Sequence, residues 1–351
     1  MNIQQLLEVA IARNASDLHL VVGYLPQVRI HGELIPVVGT QVLTDNDLLS
    51  LTTPILTPLQ KKIFDDNLEI DFAISLPNKA RFRVNIFKEQ SHLSASLRLI
   101  PLQIPPLESL GLPQQVTKMA GLRQGLILVT GPTGHGKSTS LAALINQINM
   151  SRAAKILTIE DPIEYVYPQA KGLVTQREMF IDTKSWANSL KSALREDPDV
   201  VLVGEMRDYE TIAATLTIAE TGHLVLATLH TNSAAQSIDR MIDAFPSHQQ
   251  AQIRTQLSAV LEAIVSQRLV PKIIPGRVLA VEILLKNPAL SELIRSAKSH
   301  LIDNLIQTSG ELGMVSLESS LAKLVREGTI SLEVAQNYCL RPDLLAKLVG
   351  G

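Results

Sequence analysis

Nine residues, Gly131-Pro-Thr-Gly-His-Gly-Lys-Ser-Thr139, constrain the fold of this chain more than any other stretch. They satisfy G-x-x-x-x-G-K-[ST], the spacing of a phosphate-binding P-loop. The apolar run 126–130 before them predicts a buried strand, and 141–146 after them reads as the start of a helix. Glycines let successive backbone N–H groups converge on phosphate oxygens where a side chain would block the approach. The helix that begins here offers unpaired N–H groups and a partial positive charge to the same anion. Lys137 can reach the outer phosphates and Ser138 can ligate Mg²⁺. Gly131, Pro132, Thr133, Gly134, His135, Gly136, Lys137, Ser138 and Thr139 are therefore the candidate residues for binding a nucleoside triphosphate.

A chain of 351 residues can build two domains with substantial cores. With 32 basic and 34 acidic residues the net charge is −2, so no global basic field advertises nucleic acid, and aromatics at 3% leave little material for stacking bases. Cys339 is the sole cysteine, which rules out intrachain disulfides and a cysteine-rich zinc site and fits a reducing cytoplasm. The first residues, Met1-Asn-Ile-Gln-Gln-Leu-Leu-Glu8, lack the basic-then-apolar layout of a signal peptide. No stretch approaches the apolar length of a membrane span, so any membrane role is expected to come through a partner.

Residues 1–100 read as a small α/β domain. Leu6, Leu7, Val9 and Ala10 suggest a helix ended near Asn14, and 17–22 alternates as a strand. Residues 28–30 resume that pattern before a His31-Gly32 turn. Thr44-Asp-Asn-Asp47 can cap a helix carrying Leu48, Leu49 and Leu51. Residues 70–74 and 81–87 alternate again; Phe82, Val84 and Ile86 share one face and Arg81, Arg83 and Asn85 the other. Residues 92–100 are expected to pair with them. Four prolines (Pro101, Pro105, Pro106, Pro113) within thirteen positions predict a semi-rigid connector over 101–113.

From 114 onward strands alternate with helices, the pattern of a parallel sheet. Strands are expected at 126–130, 156–159, 200–203, 224–229 and 278–284, and helices at 186–195 and 209–221. Near-continuous apolar strands suit a sheet covered on both faces. Residues 288–351 read as short helices, with Leu317, Leu321 and Leu324 on one stripe and Gly328 as a stop.

Ligands of open α/β sheets bind beyond the carboxyl ends of the strands. Three charged clusters occupy such places: Glu160-Asp161-Pro-Ile-Glu164, Gly204-Glu205-Met-Arg-Asp208, and His230-Thr-Asn232, with His223 just before the last strand. A carboxylate that ends a hydrophobic strand beside a P-loop strand has a natural role in holding Mg²⁺ or orienting water. His19, His31, His92, His135, His248 and His300 are expected to be structural. A ring-forming ATPase also needs a positive charge delivered to the γ-phosphate by a neighbouring subunit. Arg81, Arg83 and Arg98 are the candidates.

Together these stretches resemble the secretion-type ATPases, and among them the pilus-retraction (twitching motility) ATPases. The resemblance is carried by Ala15-Ser-Asp-Leu-His-Leu20, Arg81-Phe-Arg-Val-Asn-Ile-Phe87, the P-loop, Thr158-Ile-Glu-Asp-Pro-Ile-Glu-Tyr165, residues 194–208 and residues 221–233. It implies a PAS-like N-terminal domain over 1–100, a RecA-like ATPase core over 114–287 and a helical C-terminal region. It further implies ATP and Mg²⁺ as cofactors, with ATP bound between the subunits of a homohexamer. The implied partners are an inner-membrane pilus platform protein and, indirectly, pilin, at the cytoplasmic face of the membrane. Carried over motif by motif, Glu205 is the Walker B acid, Glu164 the general base, His230 and less directly His223 the histidine-box sensor, and Arg83 and Arg98 the arginines that reach across the interface.

Two departures stand out. His135 replaces the serine usual in the family's loop. The family's retraction motif, Ala-Ile-Arg-Asn-Leu-Ile-Arg-Glu, is matched in Ala289-Leu-Ser-Glu-Leu-Ile-Arg-Ser296 only at Ala289, Leu293, Ile294 and Arg295. A pilus assembly or type II secretion ATPase is the nearest rival, but it would carry a longer N-terminal region and a four-cysteine zinc motif. A conjugation-type secretion ATPase is disfavoured by the Ala15–Leu20 motif. A small GTPase would need Asn-Lys-x-Asp, and Asn78-Lys79 is followed by Ala80-Arg81. A DNA translocase would be expected to show a basic face, and a catalytically silent nucleotide-binding subunit is the non-enzyme alternative.

Overall fold

The computed structural model describes residues 2–30, 32–76, 79–100 and 103–350. His31, Asn78 and Pro101, used above, lie outside the described residues. The chain divides into two compact units, Met1–Gln103 with Pro162–Val166, and Ile104–Asp161 with Tyr167–Gly351.

In the first unit the elements are α1 (Ile3–Ala12), β1 (Asp17–Val21), β2 (Gln27–Ile30), β3 (Glu33–Pro36), α2 (Asp45–Thr52), α3 (Pro58–Asn67), β4 (Glu69–Leu76), β5 (Ala80–Glu89) and β6 (His92–Ile100). The strands form one antiparallel sheet in the order β3-β2-β1-β6-β5-β4. All three helices begin with reciprocal capping boxes: Asn2 with Gln5, Thr44 with Asp47, and Thr57 with Gln60. Strict alternation along β5 buries Phe82, Val84 and Ile86 and leaves Arg81, Arg83 and Asn85 half-buried on the opposite face. The inner face joins Leu6, Leu7, Leu18, Leu48, Phe72 and Leu97 in a single core.

The second unit comprises α4 (Gln114–Met119), β7 (Gly125–Thr130), α5 (Lys137–Ser151), β8 (Lys155–Glu160), β9 (Leu173–Glu178), α6 (Trp186–Ala193), β10 (Val200–Val203), α7 (Tyr209–Glu220), β11 (Leu224–Leu229), α8 (Ala234–Asp243), α9 (Ser247–Val260), β12 (Leu261–Pro271) and β13 (Arg277–Leu285). The C-terminal helices α10 (Pro288–Arg295), α11 (Ile302–Thr308), α12 (Leu317–Arg326), α13 (Leu332–Tyr338) and α14 (Pro342–Gly350) complete it. The seven-stranded sheet runs β13-β12-β7-β11-β10-β8-β9. Every residue of β7, β10 and β11 is buried, as expected of central strands covered on both faces.

Several features differ from the sequence expectations, the unexpected strands β3 and β9 among them. The sheet is not wholly parallel, because β13 runs antiparallel to β12; a short hairpin loop, 272–276, joins them, and such a loop permits only antiparallel pairing. β12 itself was not anticipated. It follows α9 with no glycine or proline between them, Leu261 serving both as the helix cap and as the first strand residue, so the sequence carries no punctuation there. Finally, the proline-rich tract is not a bare connector. From Ile104 it belongs to the second unit, with Leu107 and Leu112 buried in the core formed by Ile127, Leu144 and Ile145.

A candidate nucleotide-binding site

The parallel strands β7, β11, β10 and β8 pair in register, Thr130 with Leu229, Ala227 with Val203, and Val203 with Ile159. Their carboxyl ends therefore line one edge of the sheet. The loop 131–136, Glu160, Glu205 and His230 all emerge there.

Gly131 begins the loop with φ 140°, and a Cβ at this position would lie 2.5 Å from the carbonyl oxygen of Gln267 on β12. Both the backbone conformation and the space demand glycine. Gly136 caps α5 in the left-handed conformation and turns the chain into the helix. Lys137 is 7% exposed, and its Nζ donates to the carbonyl oxygens of Gly131 (2.8 Å) and Pro132 (3.0 Å). The ammonium is thus held across the mouth of the loop. Ser138, one residue on, is exposed.

His135, expected to be structural, has a specific task. The Leu269 N–H donates to its Nδ1 at 2.9 Å. β12 extends past the end of β7, which leaves the β7-facing edge of residues 267–269 without a strand partner. The loop supplies one instead: Gly131 packs against the Gln267 carbonyl and His135 accepts from Leu269. Arg277 on β13 adds a bond from Nη1 to the Gly134 carbonyl at 3.3 Å. The contact fixes the neutral ring with its proton on Nε2. Burial lowers the His135 pKa, and Arg268, Arg277 and Lys137 lower it further.

Glu205 stands beyond β10 with its side chain 15% exposed. Arg207 Nε lies 2.6 Å from its Oε1, and His230 Nε2 lies 3.7 Å from its Oε2. The other ring nitrogen, Nδ1, is 3.5 Å from Thr133 Oγ1 in the phosphate loop. Burial, followed by the nearby Lys137, pushes the His230 pKa down. The imidazole stands between the acid and the loop. Thr228 Oγ1 donates to the Gly204 carbonyl, and the Met206 N–H donates to the Thr228 carbonyl at 3.2 Å, pinning the Glu205 segment to β11. Ser138 and Glu205 supply hard oxygen ligands of the kind Mg²⁺ takes alongside phosphate oxygens and water. Among the described residues no group of three His, Cys, Asp or Glu side chains could hold a metal by itself, so phosphate oxygens would complete the shell.

The remaining expected residues have the following surroundings. Glu160 Oε1 accepts from Thr158 Oγ1 (2.6 Å) and Gln176 Nε2 (3.1 Å), which ties it to the sheet edge, while Asp161 is exposed. Glu164 falls in Pro162–Val166, the segment that belongs with the first unit. His223 does not join the loop: it precedes β11, at the end remote from Leu229, and its Nδ1 lies 3.0 Å from both Thr221 Oγ1 and the Ile218 carbonyl. A six-residue strand separates the two ends by roughly 20 Å, so His223 stands away from the phosphate loop of its own chain. Ala289, Leu293, Ile294 and Arg295 lie on α10, which follows the far end of β13. There Ile294 is buried and Arg295 pairs with Glu292 at 3.1 Å. This helix stands at the edge of the sheet opposite the phosphate loop.

On the outer face of the first unit, Arg83 and Arg98 are directly opposed on β5 and β6. Asp17, 13% exposed, receives Arg98 Nε at 3.0 Å, with Arg29 Nε 3.9 Å away on its other side; Arg83 Nε lies 3.8 Å from Asp71. Arg81 Nε instead donates to the Ile163 carbonyl at 2.8 Å. Arg29 was missed by the sequence reading, although alternation with buried Val28 already placed it on the arginine face.

A glycine loop between a buried strand and a helix, with an acid and a histidine from neighbouring strand ends, defines a P-loop nucleotide-binding protein built on a mostly parallel sheet. The chain belongs to the type II/IV secretion system protein family, whose model matches residues 1–279. It is 45% identical over 343 residues to a type IV pilus retraction ATPase, PilT, of Pseudomonas aeruginosa, covering 98% of this chain and 99% of that protein. It is 47% identical over 312 residues to a twitching motility protein of Neisseria gonorrhoeae, covering 89% and 83%. The crystal structure of the pilus retraction motor PilT with bound ADP superposes with a TM-score of 0.92 at 42% identity, covering 99% of both chains.

Proposed function

We propose that this protein is an ATP-hydrolysing motor that powers type IV pilus retraction and works as a homohexamer with Mg²⁺-ATP at subunit interfaces. The observation that carries the reading is the convergence of Lys137, Glu205 and His230 on one loop, in a chain alike from end to end to a retraction ATPase. The ATPase core is assigned to 114–287, the PAS-like domain to 1–100.

In this reading the loop N–H groups and Lys137 bind and orient the β- and γ-phosphates. Ser138 and Glu205 would hold Mg²⁺, which would supply positive charge to the phosphate oxygens. Glu164 takes a proton from the attacking water as its oxygen bonds to the γ-phosphorus. The bond to the bridging oxygen breaks, giving ADP and phosphate. His230 reports the state of the γ-phosphate to Glu205. Arg83, Arg98 and Arg29 come from a neighbouring subunit and neutralise charge that develops on the transferred group. The motion acts on an inner-membrane platform protein at the cytoplasmic face, and through it on pilin. No helix among the described residues is long and apolar enough to cross a membrane, which is compatible with attachment through that partner.

Deleting the gene and imaging surface pili tests the reading. Excess pili with loss of twitching is expected; bald cells would assign the protein to assembly. No steady-state turnover by the assembled ring, and no difference on Glu205→Gln, would sink the motor in favour of a silent subunit.

A further inference from the structure

Behind the His230 loop lies a buried network of charges that the hydrolytic scheme does not use. Glu282 on β13 is 1% exposed and Glu318 on α12 is fully buried. Isolated carboxylates are not left in such places without strong compensation. Arg341, in the turn between α13 and α14, provides it. Its Nη2 lies 3.1 Å from Glu282 Oε2 and 2.8 Å from Glu318 Oε2, while its Nη1 lies 3.0 Å from Asp303 Oδ2. Glu318 Oε1 also accepts the N–H groups of Leu340 (3.1 Å) and Arg341 (3.0 Å), so the turn carrying the guanidinium is itself fixed. All four charged residues lie beyond residue 279, where the match to the family model ends.

The other oxygen of Glu282 faces the site. Its Oε1 accepts from the Ala234 N–H at 2.7 Å, the first amide of α8. That helix follows directly on the segment that presents His230. The segment has further ties to the same helix and to β12: Gln236 Oε1 accepts from the Asn232 N–H (2.7 Å), Thr231 Oγ1 meets Ser237 Oγ (2.6 Å), and Arg268 Nη2 donates to Asn232 Oδ1 (2.9 Å). Glu282 joins the first amide of α8 to Arg341 through its two oxygens. A shift of Arg341 changes where that carboxylate points and whether it holds the amide.

We infer that Glu282 is a positioning residue for the nucleotide site: braced by Arg341 and Glu318, it fixes the start of α8 and hence the distance of His230 from Thr133 and Glu205, linking the C-terminal helices to turnover. The inference rests on the reading of His230 as part of that site. Nucleotide affinity is set by the glycine loop and Lys137, on the far side of His230. The link therefore acts on kcat rather than on binding.

The test uses the full chain, with steady-state ATP hydrolysis and calorimetric ADP binding measured on each variant. Glu282→Met, which leaves Arg341 paired with Glu318 and Asp303, is expected to lower kcat about tenfold, the effect of roughly one charge-assisted hydrogen bond, with ADP affinity within twofold. Glu282→Gln keeps an oxygen for the Ala234 N–H and is expected to restore most of the loss. In a His230→Ala background Glu282→Met is expected to lower kcat no further. A full additional loss there, or a kcat that survives Glu282→Met, overturns the link. His230→Ala at wild-type kcat would instead refute the site assignment, a separate failure. Should Glu282→Met not fold, Arg341→Gln with Glu318→Gln removes one charge of each sign and unties Glu282 from the C-terminal helices. The same selective loss of kcat is then expected, and unchanged kcat rejects the inference.

Discussion

The two sheets of this protein put their chemistry in different places. In the antiparallel sheet of the first unit one face is core and the other carries side chains, so its functional candidates, Arg29, Arg83 and Arg98, stand in a row across β2, β6 and β5. In the second unit both faces of the sheet are covered, and every residue of the central strands is buried. Only the strand ends are free for chemistry, and Lys137, Glu205 and His230 gather there. An exposed face can offer charge to another molecule, whereas a strand edge can enclose an ion. In the proposed function the donors of charge lie on the first sheet and the phosphate cradle on the second.

The largest effects test that division directly. Lys137→Ala and Arg98→Ala are both expected to lower turnover about a thousandfold, but only Lys137→Ala should also abolish nucleotide binding to isolated subunits. Titration with labelled ADP separates them; normal hydrolysis by both Arg83→Ala and Arg98→Ala would break the division. Next comes Gly131→Ala, which forces a methyl group against the Gln267 carbonyl at a positive φ. It is expected to cost about 3 kcal/mol of stability by overpacking and backbone strain, read from denaturant unfolding.

His135→Ala removes the acceptor for the Leu269 N–H and is expected to cost about 1 kcal/mol. It should also flatten the acid limb of stability. Because burial and neighbouring cations hold the folded His135 pKa below its ordinary value of 6.5, the unfolded chain binds more protons between the two values. Stability therefore rises with pH there: it is complete above about pH 6.5 and is lost as pH falls below it. Burial, together with Lys137, acts on His230 in the same direction. Thermal melts from pH 7.5 to 5 check both points, and a slope unchanged in the variant would remove His135 as a contributor. Smallest of all, His223→Ala should leave hydrolysis within twofold, since its ring is bound at the far end of β11.

What the sequence revealed follows the same physical division. Strand ends are easy to read, because an apolar run that stops at a charged residue marks both the strand and its active edge. Glu205 and His230 are legible that way, and Lys137 through the spacing of the glycine motif. His223 precedes the strand whose far end carries His230, so nearness in sequence means distance in space there. β12 escaped because no breaker separates it from α9, and with it went the partner of His135, which lies 134 residues further on. Glu282 and Arg341 were invisible for a related reason: a carboxylate in an apolar strand and an arginine in a late turn have no local pattern in common. Arg29 was legible by alternation but sat in a strand too short to draw notice.

The fastening of the phosphate loop to β12 and β13 has a consequence for the order of assembly on the ribosome. Gly131 and His135 emerge early in synthesis, yet the Gln267 carbonyl, the Leu269 amide and the Arg277 guanidinium that shape their loop appear more than 130 residues later. A nascent chain that has reached the end of α9 already contains the whole glycine motif but none of the β12 and β13 groups that shape it. Nucleotide capture is then a late event in the life of each new molecule, and a prematurely terminated chain carries the motif without the grip.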